Sequence, residues 1–116
     1  MRYLILINDP ESAWAKMAKS DTDAMMGQYF KYTEEMRAAK VLLAGEALQP
    51  VHTATTVRVR NGKTVNTDGP FAETKEQLGG FYLIDVPNLD EALKWAAKCP
   101  SATLGSIEVR PVRSLG

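Results

Sequence analysis

The sequence predicts one α+β domain in which two main helices lie on one face of an antiparallel sheet. Three observations predict this fold class. The chain has 116 residues, a length that suits a single domain. Two helical patterns are each flanked by short apolar runs that are typical of strands. Between these two strand–helix–strand units, Asn61-Gly62 separates two segments as the turn of a β-hairpin does.

The first unit begins with a strand over residues 2–8 whose two faces are both apolar, as in strands that are buried on both sides. The apolar residues of this strand are Tyr3, Leu4, Ile5, Leu6 and Ile7. The next two residues predict a helix start, with Asp9 as the N-cap and Pro10 at the first helical position. We expect this short helix to end near Lys19.

The main helix of the first unit is predicted over residues 23–40. Apolar and aromatic side chains recur there at spacings of three and four, which places them on one face of a helix. These side chains belong to Met25, Tyr29, Tyr32 and Met36. The apolar run over residues 41–44, which ends at Gly45, predicts the second strand.

The hairpin is the clearest local pattern in the chain. Residues 55–60 alternate between apolar and polar, and residues 63–65 predict the returning strand. Asn61 and Gly62 supply the two positive φ angles that a tight turn between them requires. A further turn is predicted over residues 67–71, where glycine and proline are adjacent.

The second unit has a strand over residues 81–86, again apolar on both faces, and a final strand over residues 106–112. Between them, Asn88 and Glu91 have the spacing of a capping box, and Pro100 closes the helix. We expect the inner stripe of this helix to consist of Leu89, Ala92, Leu93 and Ala96.

This order of elements predicts a ferredoxin-like arrangement with an inserted β-hairpin. Right-handed crossovers place both helices on the same face of the sheet. The strands that are apolar on both faces then leave one apolar face open, and monomers rarely expose a large contiguous patch of this kind. We therefore expect a homodimer that forms through the open sheet face. The alternative is that the hairpin folds over that face.

Composition and charge exclude several classes of function. Fourteen Lys and Arg residues balance fourteen Asp and Glu residues, so the chain lacks the positive surplus that binding to nucleic acid or an anionic membrane requires. The N-terminal apolar run is too short to cross a bilayer and lacks a signal-peptide pattern. Cys99 is the only cysteine, which excludes an intramolecular disulfide. We expect a cytoplasmic protein.

Two carboxylates are the candidate catalytic residues. Asp68 stands on a rigid turn with Gly69 and Pro70, which suits a side chain that must be held in place. Glu46 lies at the end of the second predicted strand. If the two strand ends meet, these residues face one cavity as an acid/base pair. The alternative for Asp68 is a structural role as the cap of its own turn.

The single histidine and the single cysteine have simpler interpretations. His52 precedes a strand, where a solvated loop residue is expected. Cys99 stands at the C-terminal end of a helix, where the dipole does not activate a thiol, so we expect structural burial. The sequence contains neither a metal-ligand spacing nor a phosphate or dinucleotide fingerprint, and we predict no metal and no cofactor.

The run over residues 67–82 resembles the signature of the DGPF group of YCII-related proteins. The similarity extends to residues 44–48, 89–92 and 107–112, and so covers nearly the whole chain. This resemblance implies a single YCII-related (DGPF) domain over residues 1–116, with a dimeric ferredoxin-like fold of the α+β barrel type. The biochemical role of the family is largely undefined. Some relatives accompany genes for extracytoplasmic-function sigma factors, which suggests a regulatory setting.

Shorter YCII-type relatives are proposed to use a His–Asp pair. Matched without gaps, the resemblance places Gln28 and Cys99 at those two positions, and neither side chain replaces the base or its carboxylate partner. A site in this chain would have to be built from other residues. Besides the two carboxylates, the candidate ligand-binding residues are Gly69, Pro70, Phe71, Lys75, Tyr82 and Arg58.

Two functional hypotheses follow. The first is a dimer that binds a small molecule or a regulatory protein partner. The alternative is a cofactor-independent enzyme, such as a hydrolase, an isomerase or an oxygenase-like protein, with an acidic pocket around Asp68 and Glu46. Convergence of Asp68, Glu46 and Arg58 on one apolar pocket would favour the enzyme, and their dispersal would favour the binding protein.

Overall fold

The computed structural model describes residues 1–115 and has a mixed α/β architecture with antiparallel sheets and three α-helices. In chain order the elements are β1 (Arg2–Asp9), α1 (Glu11–Lys16), α2 (Lys19–Ala38), β2 (Leu42–Ala47), β3 (Thr55–Arg60), β4 (Lys63–Asp68), β5 (Gln77–Asp85), α3 (Leu89–Lys98) and β6 (Ser106–Pro111). Short 3₁₀ turns at Val51–Thr53 and Pro100–Thr103 precede β3 and follow α3. Within residues 1–115, every helix is too short or too polar to cross a membrane.

The main sheet has the strand order β2-β5-β1-β6, and each neighbouring pair is antiparallel. The first unit, β1-α2-β2, therefore leaves a gap that β5 fills, and the second unit, β5-α3-β6, leaves a gap that β1 fills. The two strands that the sequence predicts to be apolar on both faces are thus the two central strands. This interleaving joins the two halves of the chain in one sheet.

The core lies on one face of this sheet, beneath α2 and α3. From β1 it takes every second residue, because successive side chains of a strand point to opposite faces. The core residues are Tyr3, Ile5, Ile7, Tyr32, Met36, Ile84, Val86, Ala92 and Cys99. The expectation that both long helices pack on the same face is confirmed, since Tyr32 and Met36 of α2 and Ala92 of α3 belong to one cluster.

The opposite face of the sheet carries a second apolar group that contacts neither long helix. Leu4 pairs with Leu83, and Leu6 pairs with Phe81, across the β1–β5 ladder. Residues directly opposite each other in a ladder project to the same face. All four side chains are half-buried, because each shields its neighbours. We refer to Leu4, Leu6, Phe81 and Leu83 as the open-face cluster.

The hairpin forms a separate two-stranded sheet of β3 and β4. Its turn residues Asn61 and Gly62 have φ angles of 52° and 75°, as the sequence predicts. Val57 and Val59 are each 60% exposed, and the hairpin has no extensive contact with the main sheet. The alternative in which the hairpin covers the open face is therefore wrong. The radius of gyration of 16.2 Å exceeds the roughly 13 Å of a typical globular chain of this length because the hairpin projects.

Several predicted boundaries need correction. Asp9 belongs to β1 and does not cap α1, whose N-cap position is Pro10 without a side-chain bond. The main helix begins at Lys19, four residues earlier than predicted, and ends at Ala38. Strands β2, β4 and β5 extend beyond the apolar runs that predicted them. The backbone hydrogen-bond ladder continues there through polar residues and glycines.

Helix α3 confirms one expectation and corrects another. The Asn88 side chain accepts a hydrogen bond from the Glu91 amide at 3.0 Å, so the predicted N-cap is present. Ala92 and Ala96 are buried as expected, but Leu89 and Leu93 are nearly half exposed. Trp95 is partly buried and packs against the core in their place.

We predict that Met36→Ala lowers the free energy of unfolding by about 2–5 kcal/mol, because the side chain is fully buried and its loss leaves a cavity. Met26 lies on the same helix but is 57% exposed. The matched change Met26→Ala should cost less than about 1 kcal/mol. Urea denaturation of both variants measures the difference, and equal losses would contradict this packing of α2.

Candidate functional site

The first cavity lies between the main sheet and the helices and has a volume of about 720 Å³. Its walls are largely aromatic and aliphatic. They include Trp14 from α1, Met26 and Tyr29 from α2, Tyr82 from β5 and Leu48 beyond β2. A volume and a lining of this kind are typical of small-molecule sites.

Close backbone packing forms one wall of this cavity. Gly45 in β2 lies opposite Tyr82 in β5, and a Cβ atom on Gly45 would lie 2.6 Å from the Tyr82 ring. The missing side chain lets the ring lie against β2. Gly80 is equally constrained, because a Cβ atom there would lie 2.9 Å from the Glu46 carbonyl oxygen. Larger residues at either position would displace the wall.

Asp9 is the most unusual residue that lines the first cavity. Asp9 is the C-terminal residue of β1, and only 5% of the residue is exposed. The Trp14 indole Nε1–H donates a hydrogen bond to Asp9 Oδ2 at 2.9 Å. No described residue donates a hydrogen bond to the other oxygen, Oδ1, and this atom is not among the fully buried unpaired ones. A buried carboxylate with one open oxygen is a candidate ligand anchor.

A buried polar cluster stands beside Asp9. The Tyr29 hydroxyl donates to Ser101 Oγ and also lies 3.6 Å from Cys99 Sγ. Burial raises the pKa of Tyr29 above its ordinary range, so this hydroxyl stays protonated. The predicted burial of Cys99 is confirmed, since only 2% of the residue is exposed. Burial also raises the pKa of its thiol, which argues against a reactive cysteine.

Tyr82 reaches the first cavity with its hydroxyl already paired. Its oxygen lies 2.9 Å from Thr33 Oγ1, and Thr33 in turn donates to the Tyr29 carbonyl oxygen. Burial raises the pKa of Tyr82 as well. Tyr32 packs edge-on against the Tyr82 ring, with ring centroids 5.5 Å apart. These contacts fix the Tyr82 ring as a rigid wall.

Glu11 closes the cavity toward the hairpin connection. Its backbone amide donates to Gln77 Oε1, and its Oε2 accepts from the Val51 amide, both at 2.9 Å. The first turn of α1 is thereby tied to β5 and to the segment that follows β2. The rim of the cavity is therefore held by side chains from distant parts of the chain.

A second cavity of about 850 Å³ lies next to the loop after β4. It brings together five residues singled out in the sequence, namely His52, Asp68, Gly69, Pro70 and Phe71. The loop is fixed by backbone contacts, because Gly69 has a φ of 99° and its amide donates to the Ala54 carbonyl oxygen at 2.7 Å. Phe71 is 81% exposed, so this cavity is open to solvent on that side.

The structure does not bring the two predicted catalytic carboxylates together. Glu46 borders the first cavity, but its pairing with Phe81 places its side chain on the open face of the sheet, whereas Asp68 lines the second cavity. Arg58 is in the hairpin and Lys75 is exposed, and neither lines either cavity. The acid/base pair at one cavity is thus absent within one chain, and separate roles for these residues stay predictions.

The sequence interpretation missed Asp9 as a site residue because it assigned this residue to a helix cap. A signal was available, since Asp9 continues the every-second-residue series of Tyr3, Ile5 and Ile7. An acid at the end of an inward-facing apolar series is a candidate buried site.

Gln28 is exposed on α2, so it forms no pair with the buried Cys99. Among residues 1–115, no three His, Cys, Asp or Glu side chains are grouped as metal ligands.

The fold and the first cavity define a small α/β protein with one interleaved antiparallel sheet and a ligand-sized cavity beneath its helices. The chain belongs to the YCII-related domain family, whose model matches residues 1–115. The resemblance seen in the sequence is thereby confirmed. The chain is also 40% identical over 114 residues to the uncharacterized protein R00369 of Rhizobium meliloti (strain 1021), covering 97% of this chain and 92% of that protein.

A solved structure supports the fold. The chain is similar to 5-chloro-2-hydroxyhydroquinone dehydrochlorinase (TftG) from Burkholderia phenoliruptrix AC1100, determined in complex with 2,5-dihydroxybenzoquinone. The TM-score is 0.50 with 15% sequence identity, and the match covers 97% of this chain and 94% of TftG. At this identity the likeness concerns the fold alone.

We predict that the protein loses stability in alkaline solution. Because burial raises the pKa of Cys99 above its ordinary value of 9.0, the folded chain holds this proton more tightly than the unfolded chain. The resulting stabilisation is complete below that value and is lost as the pH rises through the higher folded pKa. Urea denaturation across this pH range should show a falling free energy of unfolding, with a shallower fall in Cys99→Ala. Parallel curves for the two proteins would exclude a contribution from the thiol.

Proposed function

We propose that this protein binds a small, mostly apolar molecule in the first cavity and acts as a homodimer. One observation carries the proposal: the cavity beneath the helices is lined by a buried carboxylate, Asp9, that has one oxygen without a hydrogen bond from the described residues. Sites for small molecules typically combine an apolar lining with a few polar groups that fix orientation.

The fixed positions of the aromatic side chains in the cavity walls support binding. The Tyr29 and Tyr82 hydroxyls are paired with Ser101 and Thr33, so they hold the rings in place before any ligand arrives. Preformed walls lower the entropy that binding costs. Asp9 is the buried polar group of the lining that keeps an oxygen free for a ligand, and apolar and aromatic side chains make up most of the remaining walls.

A binding role is favoured over the enzyme formulated on Asp68 and Glu46. These two residues line different cavities and Arg58 lines neither. Such dispersal is the arrangement expected for a binding protein. A cofactor-independent enzyme is the second candidate, and it would use Asp9 as its acid or base, since this is the carboxylate held in a ligand-sized cavity. TftG is named as a dehydrochlorinase, and hydroxylated rings therefore belong in any panel of tested ligands.

The dimer is supported by the open-face cluster. Its members occupy the two central strands, where contiguous apolar surface is costly to leave in water. Face-to-face packing of two such sheets, about 10 Å apart, would bury them. The strand order also supports the ferredoxin-like assignment and assembly as a dimeric α+β barrel. A cytoplasmic protein with a sigma-factor-linked regulatory partner is consistent with the family resemblance.

We expect a thermal-shift screen of small metabolites and hydroxylated rings to find compounds that raise the melting temperature, because a ligand that binds only the folded state stabilises it. Ala15 is an exposed residue that lines the first cavity. The change Ala15→Trp should fill the cavity and abolish the shift.

Ala97→Trp is the matched control for this screen. Ala97 is exposed on α3 and does not line the first cavity, so the shift should persist in this variant. Loss of the shift in both variants, or its survival in Ala15→Trp, would rule out the first cavity as the binding site.

We expect sedimentation velocity at micromolar concentration to show a dimer, and Leu6→Lys to convert it to a monomer by placing a charge within the open-face cluster. Phe30 is 71% exposed on α2, so Phe30→Lys makes a similar change away from that face. A wild-type monomer, or dissociation in the Phe30 variant alone, would refute an interface at the open face.

A further inference from the structure

The residues that line the first cavity differ in charge from the chain as a whole. The full sequence is neutral, with equal numbers of acidic and basic residues. The lining, by contrast, contains the acidic side chains of Asp9 and Glu11 and no Lys, Arg or His among the described residues that form it. Glu46 also borders the cavity, but its pairing with Phe81 places its side chain on the opposite face of the sheet. The cavity lining therefore has acidic side chains and no basic ones among the described residues.

The open oxygen of Asp9 sets the chemistry of a ligand group that contacts it. An ionised carboxylate accepts hydrogen bonds and donates none. Oδ2 accepts a hydrogen bond from the Trp14 indole N–H, and no described residue donates one to Oδ1, which leaves Oδ1 as the free acceptor of a residue that lines the cavity. A ligand must therefore present an N–H or O–H donor there. A carboxylate or phosphate group would instead meet the Asp9 carboxyl group, and the described lining has no Lys, Arg or His to pair with it.

The aromatic walls favour the same kind of ligand. Trp14, Tyr29 and Tyr82 all line the cavity, and the faces of aromatic rings attract cations. A positively charged nitrogen gains from these rings as well as from the carboxylate, and charge-assisted hydrogen bonds are stronger than neutral ones.

We propose that the first cavity selects a small apolar molecule that carries an amine, with its ammonium group hydrogen-bonded to Asp9 Oδ1. This inference rests on the proposed function, since it assigns a ligand class to the same site. It excludes carboxylates and phosphate esters of similar size as ligands. Neutral alcohols and phenols fall between the two classes, because they donate a hydrogen bond without adding charge.

The test uses three probes with a common phenyl body: phenethylamine, phenethyl alcohol and hydrocinnamate. Dissociation constants come from titrations followed by the Trp14 indole N–H signal in ¹⁵N-labelled protein, because this N–H contacts Asp9 directly. We expect the amine to bind at least about tenfold more tightly than the carboxylate, with the alcohol between them.

Variants assign the discrimination to the cavity acids. Asp9→Asn removes the charge while an amide oxygen can still accept from Trp14, and it should reduce the amine preference about tenfold. Asp90 is exposed on α3, so Asp90→Asn makes the same charge change outside the cavity and should leave the ratio unaltered. Should Asp9→Asn fail to fold, Glu11→Gln provides the second test and should lower the ratio in the same direction.

The outcomes separate this inference from the proposed function. Binding of hydrocinnamate as tight as that of phenethylamine, or an unchanged preference in Asp9→Asn and Glu11→Gln, would overturn the amine assignment and leave small-molecule binding intact. Both proposals fail if two results coincide. None of the probes binds with a dissociation constant below about 10 mM, and the metabolite screen finds no ligand whose thermal shift is abolished by Ala15→Trp.

Discussion

The rest of the structure depends on the central position of β1. This strand pairs on one side with β5 and on the other with β6, so it joins the two strand–helix–strand units in one sheet. One set of its alternate residues forms the core beneath the helices, through Tyr3, Ile5 and Ile7. The same set ends at Asp9, which places a carboxylate in the first cavity. The hydrophobic core and the candidate site are thus two ends of one series of side chains.

Much of this fold was predictable because the deciding interactions are local. The positive φ angles at Asn61-Gly62 and the cap at Asn88 arise within a few residues of sequence, and both are present. The apolar runs of the central strands also indicated their position, since strands that are apolar on both faces are typical of the middle of a sheet. Leu89 and Leu93 were misplaced, because the rotation of α3 depends on how Trp95 fits against the sheet.

The candidate site was less accessible to sequence reasoning, for a physical reason. Whether Glu46 and Asp68 share a cavity depends on strand register and on the direction in which the hairpin projects, and both are set by contacts between distant residues. The local chemistry of the turn at Gly69 and Pro70 was foreseeable, but its distance from the helix-covered face was not. Asp9 was overlooked because an acid before a proline also fits a helix start.

Because the hairpin forms a separate sheet, the two cavities lie next to structural units of different local stability. An isolated pair of strands is only marginally stable in water, and proteins open in local units of unequal stability. β3 and β4 pair only with each other, so amide protons there can exchange with solvent while the four-stranded sheet stays closed. The cavity beside Asp68 is attached to this hairpin sheet, whereas Asp9 in the first cavity belongs to β1, a central strand of the four-stranded sheet.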